Sequence, residues 1–408
     1  MTDHFDTLET RGAEQRETEQ FAELRRILAA ALPQARGLAA HLDGADIAAL
    51  TGPAALAGLP VLRKADLAQR QTGADPLGGL AARAPGAFRH LFMSPGPIFE
   101  PGGGGADWWR LGRFLHAAGF REGDIVQNCF SYHLTPAGHM FDSAAAAIGA
   151  AVIPAGIGQT EQQVAAAAHL GATAYAGTPD YLKTILEKAD ELGVSLGIVR
   201  AAVSGGALFP SLKASYEDRG IAVRQCYATA DVGNIAYESE AAEGMIIDEG
   251  AIVEIVRPGT GEPLPAGEVG EVVVTVLNPD YPLVRFATGD MSAIMPGASP
   301  CGRTNARIRG WLGRADQTTK VKGMFVRPEQ VAALAARFPE AGRIRVVVTR
   351  ANEADVMTVR VEIGAPDMAG AVEAALPDLL KLKGAVEAVA PGSLPNDGKV
   401  IEDLRDYD

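Results

Sequence analysis

The residues best suited to chemistry lie between positions 281 and 326, in YPLVRFATGD and, after a spacer, RGWLGRADQTTKVKGMFV. Asp290 closes a Thr-Gly-Asp turn, Arg314 and Asp316 share a Gly-Arg-Ala-Asp turn, and Lys320, Lys322 and Gly323 follow. A carboxylate accepts paired hydroxyl hydrogens, while an arginine presents a fixed fork of donors. Carboxylate and guanidinium turns held apart in this way suit a polyhydroxylated anion such as a nucleotide. Gly and Asp favour turns for backbone reasons alone, so any one of these turns is equally well explained as surface structure. The ordered set carries the signal.

Other residues carry weaker signals. Gly205 and Gly206, in VSGGALFP after an expected strand, would let a backbone approach a flat base, though a plain strand-to-helix turn would read the same. His133 and His139 present two imidazoles without a third ligand and read as polar or core histidines. Cys129, Cys226 and Cys301 are far apart, form no CxxC pair, and read as reduced cytosolic thiols.

The elements that must position these residues fall into four regions. The first is helical and Ala-rich, with FAELRRILAAALPQA at helical spacing and VLRKADLAQRQ offering an N-terminal cap. Strands and helices then alternate. A helix is expected over 107–120, a strand over 124–132, a helix over 142–150 and a strand over 150–156. The cycle repeats to the strand IAVRQCYAT. Such alternation implies crossover connections and a mostly parallel sheet. After Tyr227, the runs AIVEIVRP, GEVGEVVVTV and LVRFATGD, separated by Gly, Pro and Asp, predict an antiparallel β region. Beyond Asp316 the pattern fits a separate α+β unit. The run 102–105 (GGGG) reads as a flexible surface loop with spare backbone amides.

With 408 residues, 47% of them hydrophobic and 21% charged, the chain is expected to form at least two globular domains. Its net charge of -13 argues against a nucleic-acid partner, which selects for basic surfaces. The polar, acidic N-terminus and the lack of an apolar run of roughly 18 residues predict a cytoplasmic protein without a membrane partner.

The succession VSGGALFP, YATADVG, PLVRFATGD, GRADQTTKVKG and DGKVIEDLR resembles the adenylate-forming acyl-CoA ligases, and within them the phenylacetate-CoA ligase branch. AAVIPAGIGQTEQQV and GEPLPAGEVGEVVVT add to the resemblance, which covers roughly 61–405. It implies an α/β fold: a large N-terminal domain (1–313) with a mostly parallel sheet and a β-rich end, joined by a hinge to a small α+β domain (316–408). It implies ATP-dependent activation of an aromatic or aryl-alkyl carboxylic acid to an acyl-adenylate, then transfer to CoA, with ATP/AMP, Mg²⁺ and CoA as cofactors and a homodimer as the assembly.

Residue by residue, the resemblance makes Asp290 and Arg314 the ribose ligands and Asp316 the hinge. Gly205, Gly206 and Ala207 become the adenine loop, with Tyr227 stacking near the base and Ala228 and Thr229 beside the nucleotide. Lys399 becomes the lysine of adenylation, and Lys322 and Gly323 adjoin the CoA pantetheine. FSYHLTPAGHMF would place Phe130, Tyr132 and His133, together with Gly156, around the acyl group.

Two stretches depart from the family pattern. In FMSPGPIFEPGGGG the expected phosphate loop keeps Ser94 and Gly96 but lacks the paired threonines and the lysine. Pro95 and Pro97 remove two amide donors, and Glu100 would repel phosphate. In YATADVG, Ala230 stands at the usual hydroxyl position and Asp231 at the Mg²⁺ carboxylate. These departures open a second reading: a module that binds AMP or an acyl-adenylate without adenylating. A third is adenylation with handover to a carrier protein's pantetheine.

Overall fold

The computed structural model describes residues 4–94, 97–315, 317–363, 368–395 and 399–405. The chain separates into two compact units, Met1–Trp311 and Leu312–Asp408.

In the first unit, among the described residues, a nine-stranded sheet runs from a parallel half into an antiparallel one. The parallel strands are Ala151–Ile153, Ile125–Asn128, Ala174–Gly177, Arg200–Val203 and Ala222–Thr229, in that spatial order. All four residues of Ala174–Gly177 are buried, as expected of a strand covered on both faces. The intervening helices show why they form. Pro179–Glu191 opens on a proline at its first position and buries Leu182, Ile185, Leu186 and Ala189 along one face. The helix expected over 107–120 is shorter, Gly112–Ala117. Upstream of it Asp107 and Arg110 adopt left-handed backbone angles that no helix tolerates. The expected helix 142–150 instead runs over Ala137–Ala147.

A four-stranded sheet orders Leu62–Arg63, Phe286–Ser292, Gly270–Val276 and Ala251–Val256. The last three are antiparallel, while Leu62 pairs in parallel with Phe286 and Arg63 with Ala287. Arg285, 2% exposed, locks this junction: its guanidinium contacts Glu254 at 3.0 Å and donates to the carbonyls of Ala57, Leu59 and Gly261. A separate hairpin pairs His90–Ser94 with Ile98–Gly102.

The second unit, by itself, holds a hairpin of Thr319–Val321 and Met324–Val326 and a four-stranded mixed sheet. Helices Pro328–Arg337 and Met368–Leu379 share an apolar core with that sheet, including Leu334, Val346, Val359 and Leu376. Among the described residues no helix is long and apolar enough to cross a membrane.

Candidate functional site

Asp290 lies inside a strand, not in the expected turn. Opposite it the register jumps from Val273–Ala287 to Glu271–Met291, so Thr288, Gly289 and Asp290 bulge against the single residue Val272. Gly289, at φ 77°, supplies the left-handed step the bulge needs, and the Thr288 hydroxyl donates to the Val272 carbonyl at 3.1 Å. The bulge turns the Asp290 carboxylate outward, half-buried. The Tyr227 hydroxyl donates to its Oδ2 at 2.8 Å, and the Trp311 indole N–H donates to Oδ1 at 2.9 Å. Tyr227, expected to stack near a base, thus also spends its hydroxyl on Asp290. Two such donors do not exhaust a carboxylate, whose two oxygens together accept about four hydrogen bonds.

The other expected nucleotide residues sit where the parallel strands end. Gly205 (φ 72°), Gly206 and Ala207 follow Arg200–Val203, and Tyr227, Ala228 and Thr229 close Ala222–Thr229. Ligands of open α/β sheets bind at these carboxyl ends. A Cβ on Gly205 would lie 3.9 Å from the edge of the Phe130 ring, and Phe130 stacks on Phe141 at 4.4 Å. Tyr132 packs against Gly138 and Gly156, and its hydroxyl accepts from the Asn128 amide at 2.8 Å. Phe130, Tyr132 and Gly156 therefore converge on this end of the sheet. His133 does not join them: it is exposed, with its backbone N–H held by Ser131. His139 takes the place beside Tyr132, at 5.1 Å edge-on, and lies tilted against His90 at 4.5 Å.

The stretch expected to meet phosphate is built differently. Pro95 and Gly96 lie outside the described residues. Ser94 is buried on the hairpin, and its hydroxyl donates to Glu100 Oε1. Glu100, expected to face phosphate, is 1% exposed, and its Oε2 has no partner. Burial, then the nearby Asp231 charge, pushes the Glu100 carboxyl up to about 8, against the pull of Ser94 and Lys64. Such a group is largely an uncharged acid near neutral pH and does not repel an anion. The flexible loop expected at 102–105 is corrected in part. A Cβ on Gly102 would strike Phe92 and Trp109, and one on Gly103 would strike Trp108. Those two glycines exist to let indoles pack, while Gly104 and Gly105 are exposed.

Asp231 sits in the tight turn between Ala222–Thr229 and Gly233–Tyr237. Its side chain is fully buried, and Oδ2 accepts from the Lys64 ammonium at 2.6 Å. Its Oδ1 has no partner. Lys64 was missed in the sequence. It follows Arg63, whose parallel pairing with Ala287 delivers it beside the bulge. Burial works against its charge, yet the Asp231 carboxylate, by its charge and its hydrogen bond, holds the proton above the ordinary lysine value. Only a short apolar pair before a Lys marked the position, and that pattern is common. No group of three or more His, Cys, Asp or Glu side chains among the described residues could hold a metal ion. The two unpartnered carboxylate oxygens, Asp231 Oδ1 and Glu100 Oε2, are nevertheless hard donors of the kind Mg²⁺ prefers, and Mg²⁺ commonly takes only one or two carboxylates alongside phosphate.

In the second unit, Lys322 and Gly323 form the two-residue turn of the Thr319–Val326 hairpin, at φ 48° and 82°. The Lys322 N–H donates to Asp355 at 2.8 Å. Arg314 is half-buried and Lys399 exposed. Asp316 lies outside the described residues.

With this geometry in view, the comparisons are specific. The phenylacetate-coenzyme A ligase of Thermus thermophilus is 32% identical over 266 residues, 63% of this chain and 60% of that protein. The Escherichia coli phenylacetate-coenzyme A ligase is 30% identical over 267 residues, again 60% of its length. A 2-hydroxyisobutyryl-CoA ligase, crystallised with 2-HIB-AMP and CoA, matches with TM-score 0.82 over 98% of this chain and 92% of that one. The chain is similar in sequence to the phenylacetate-coenzyme A ligases and shares the fold of that 2-hydroxyisobutyryl-CoA ligase. The structural match is at 24% identity and speaks for the fold alone. The sequence match spans 60% of the ligases' length. No protein-family profile matches the chain. Within this fold the residues expected around Asp290 come together, while those around Ser94 and Asp231 are arranged differently from the expectation.

Proposed function

We propose that the chain activates an aromatic or aryl-alkyl carboxylic acid with ATP and then forms the thioester with CoA. The acid's oxygen attacks the α-phosphorus and pyrophosphate leaves; a thiol then attacks the acyl carbon and AMP leaves. The observation that carries this reading is Asp290, carried on a strand bulge and held by Tyr227 and Trp311. Asp290 and Arg314 would take the ribose hydroxyls, and Gly205, Gly206, Ala207, Ala228 and Thr229 would line the base. Phe130, Tyr132 and Gly156 would line the acyl group. Lys64 supplies a cation that the hairpin lacks. Ser94, already donating to Glu100, acts through that carboxyl.

Asp231 would hold Mg²⁺, which when bound screens charge on the leaving phosphates. Lys399 would neutralise charge accumulating on the attacked phosphorus. Asp316 would be the hinge between the two half-reactions, with Lys322 and Gly323 serving the thiol step, and 1–313 and 316–408 the working domains.

The test is pyrophosphate release from Mg-ATP across a panel of aryl and aryl-alkyl acids, with and without CoA. Release that depends on an acid, and a CoA-dependent thioester, are expected. Lys399→Ala should suppress acid-dependent release; unchanged release would remove that lysine from the mechanism. A second reading, a protein that binds AMP or an acyl-adenylate without adenylating, draws on one observation: Ser94 and Asp231 are already engaged by Glu100 and Lys64. It predicts AMP binding with no pyrophosphate from any acid.

A further inference from the structure

Three buried oxygens in one corner of the first unit lack partners: Asp231 Oδ1, Glu100 Oε2 and the Tyr281 hydroxyl. The residues are 3%, 1% and 1% exposed. They come from three elements: the turn after Ala222–Thr229, the strand Ile98–Gly102, and the segment leading into Phe286–Ser292. Each carboxylate lies in the field of the other, and Tyr281 in the field of both. Buried polar atoms are almost always satisfied, and an unpartnered carboxyl oxygen is costly to bury whether the group is charged or carries its proton. The sequence could have placed an apolar side chain at position 100, in a buried strand next to a tyrosine and an ion pair. It places a second carboxylate there.

We infer that Glu100 and Asp231 together form a two-carboxylate site for one oxygen-seeking divalent cation of the magnesium class, completed by a phosphate ligand. The inference rests on the reading that the nucleotide's phosphates meet the chain here. The opposed alternative, a cation held by Asp231 alone, leaves Glu100 Oε2 unexplained. Lys64 does not compete for the site, because it engages Oδ2 of Asp231 and leaves Oδ1 open. An ion bound there displaces the proton of Glu100; with the dipositive ion on the two carboxylates and the ammonium beside them, the corner then carries net positive charge. That charge answers the losses in the hairpin sequence. A phosphate loop with threonines and a lysine grips phosphate directly; this hairpin has prolines at 95 and 97 and a carboxylate at 100 instead, and would grip phosphate through a metal. The same residue that looked hostile to phosphate becomes the reason phosphate binds.

The test uses the full chain and Mn²⁺ alone as a spectroscopic probe, titrated by electron paramagnetic resonance with and without pyrophosphate. Mg²⁺ competition confirms the class of ion. Wild type should bind one Mn²⁺, more tightly with pyrophosphate present. Asp231→Asn and Glu100→Gln should each weaken Mn²⁺ binding at least tenfold. Glu100→Val, which suits a buried strand, repeats the test should the glutamine variant fold poorly, with the circular dichroism melt as control. Unchanged Mn²⁺ affinity in both Glu100 variants, or no Mn²⁺ binding by wild type under either condition, would overturn the inference. The two ideas fail separately. Mn²⁺ bound through Glu100 by a chain that releases no pyrophosphate from any acid would end the ligase reading and leave this site standing. Acid-dependent release with Mn²⁺ affinity indifferent to Glu100 would do the reverse.

Discussion

The proposed ribose end and the proposed phosphate end of this molecule solve the placement of a carboxylate in opposite ways. Asp290 is half-buried, both its oxygens have donors, and the strand bulge that carries it is pinned by Thr288. Asp231 is fully buried, shares one oxygen with Lys64 and leaves the other without a partner, beside a second carboxyl in the same condition. A satisfied carboxylate that faces outward is prepared for neutral hydroxyls, which add hydrogen bonds without changing its charge. A buried, half-satisfied pair is prepared for something that brings charge.

The comparison breaks most visibly at Asp290. Charge-assisted hydrogen bonds contribute about 1.5–3 kcal/mol each. Asp290→Ala should therefore weaken AMP binding by about 3 kcal/mol or more, roughly a hundredfold in Kd by calorimetry, with little change in melting temperature. A loss below threefold would remove the ribose role.

At the phosphate end the expected signature is the reverse, stability before affinity. Lys64→Met strips the counter-ion from a buried Asp231. Because Lys64 is itself 27% exposed, a cost of about 2 kcal/mol in chemical denaturation is expected, below the range for a sealed pair. Lys64→Met with Asp231→Leu should recover most of it, since replacing both partners leaves no stranded charge. If the double variant is less stable than the single, Asp231 has other essential partners.

Trp311→Phe sharpens the ribose side more gently. It removes one of the two donors that orient Asp290 while keeping an aromatic ring, and should weaken AMP binding by about 1 kcal/mol, roughly fivefold.

The smallest effect is at the root of the hairpin that carries Ser94 and Glu100. Burial, and then Arg89 for His90 and His90 for His139, holds both imidazoles below the ordinary 6.5. The unfolded chain therefore binds more protons just below pH 6.5. The stability that the two histidines contribute is full above that pH and declines as pH falls through the lowered folded values. Denaturant midpoints between pH 7.5 and 5.5 should fall in wild type and fall less in His139→Leu. Parallel curves would show that the pair does not titrate in this range.

Legibility followed the range of the interactions involved. The alternation that predicted a parallel sheet, and the antiparallel run after it, depend on local periodicity, and the strands formed close to where the pattern put them. The helix expected over 107–120 shrank because Asp107 and Arg110 take backbone angles that periodicity cannot foresee. The Thr-Gly-Asp motif was legible as a special backbone feature, but bulge and turn share the same residue types. His133 was chosen by its neighbours in the chain; His139 reached Tyr132 through the turn of a helix.

By itself, the sequence determined the fold class, singled out Asp290 as the candidate ribose carboxylate and showed that the stretch around Ser94 departs from the family pattern. Each of these rests on residue types in a fixed local order. The tertiary structure alone decided what the change amounts to. Lys64, Glu100 and Asp231 are separated along the chain and come together only because Arg63 pairs with Ala287 and the hairpin folds back on itself. Burial then sets the charge state of Glu100 and the cost of every unpartnered oxygen around it. Neither quantity exists until the chain has closed over those residues.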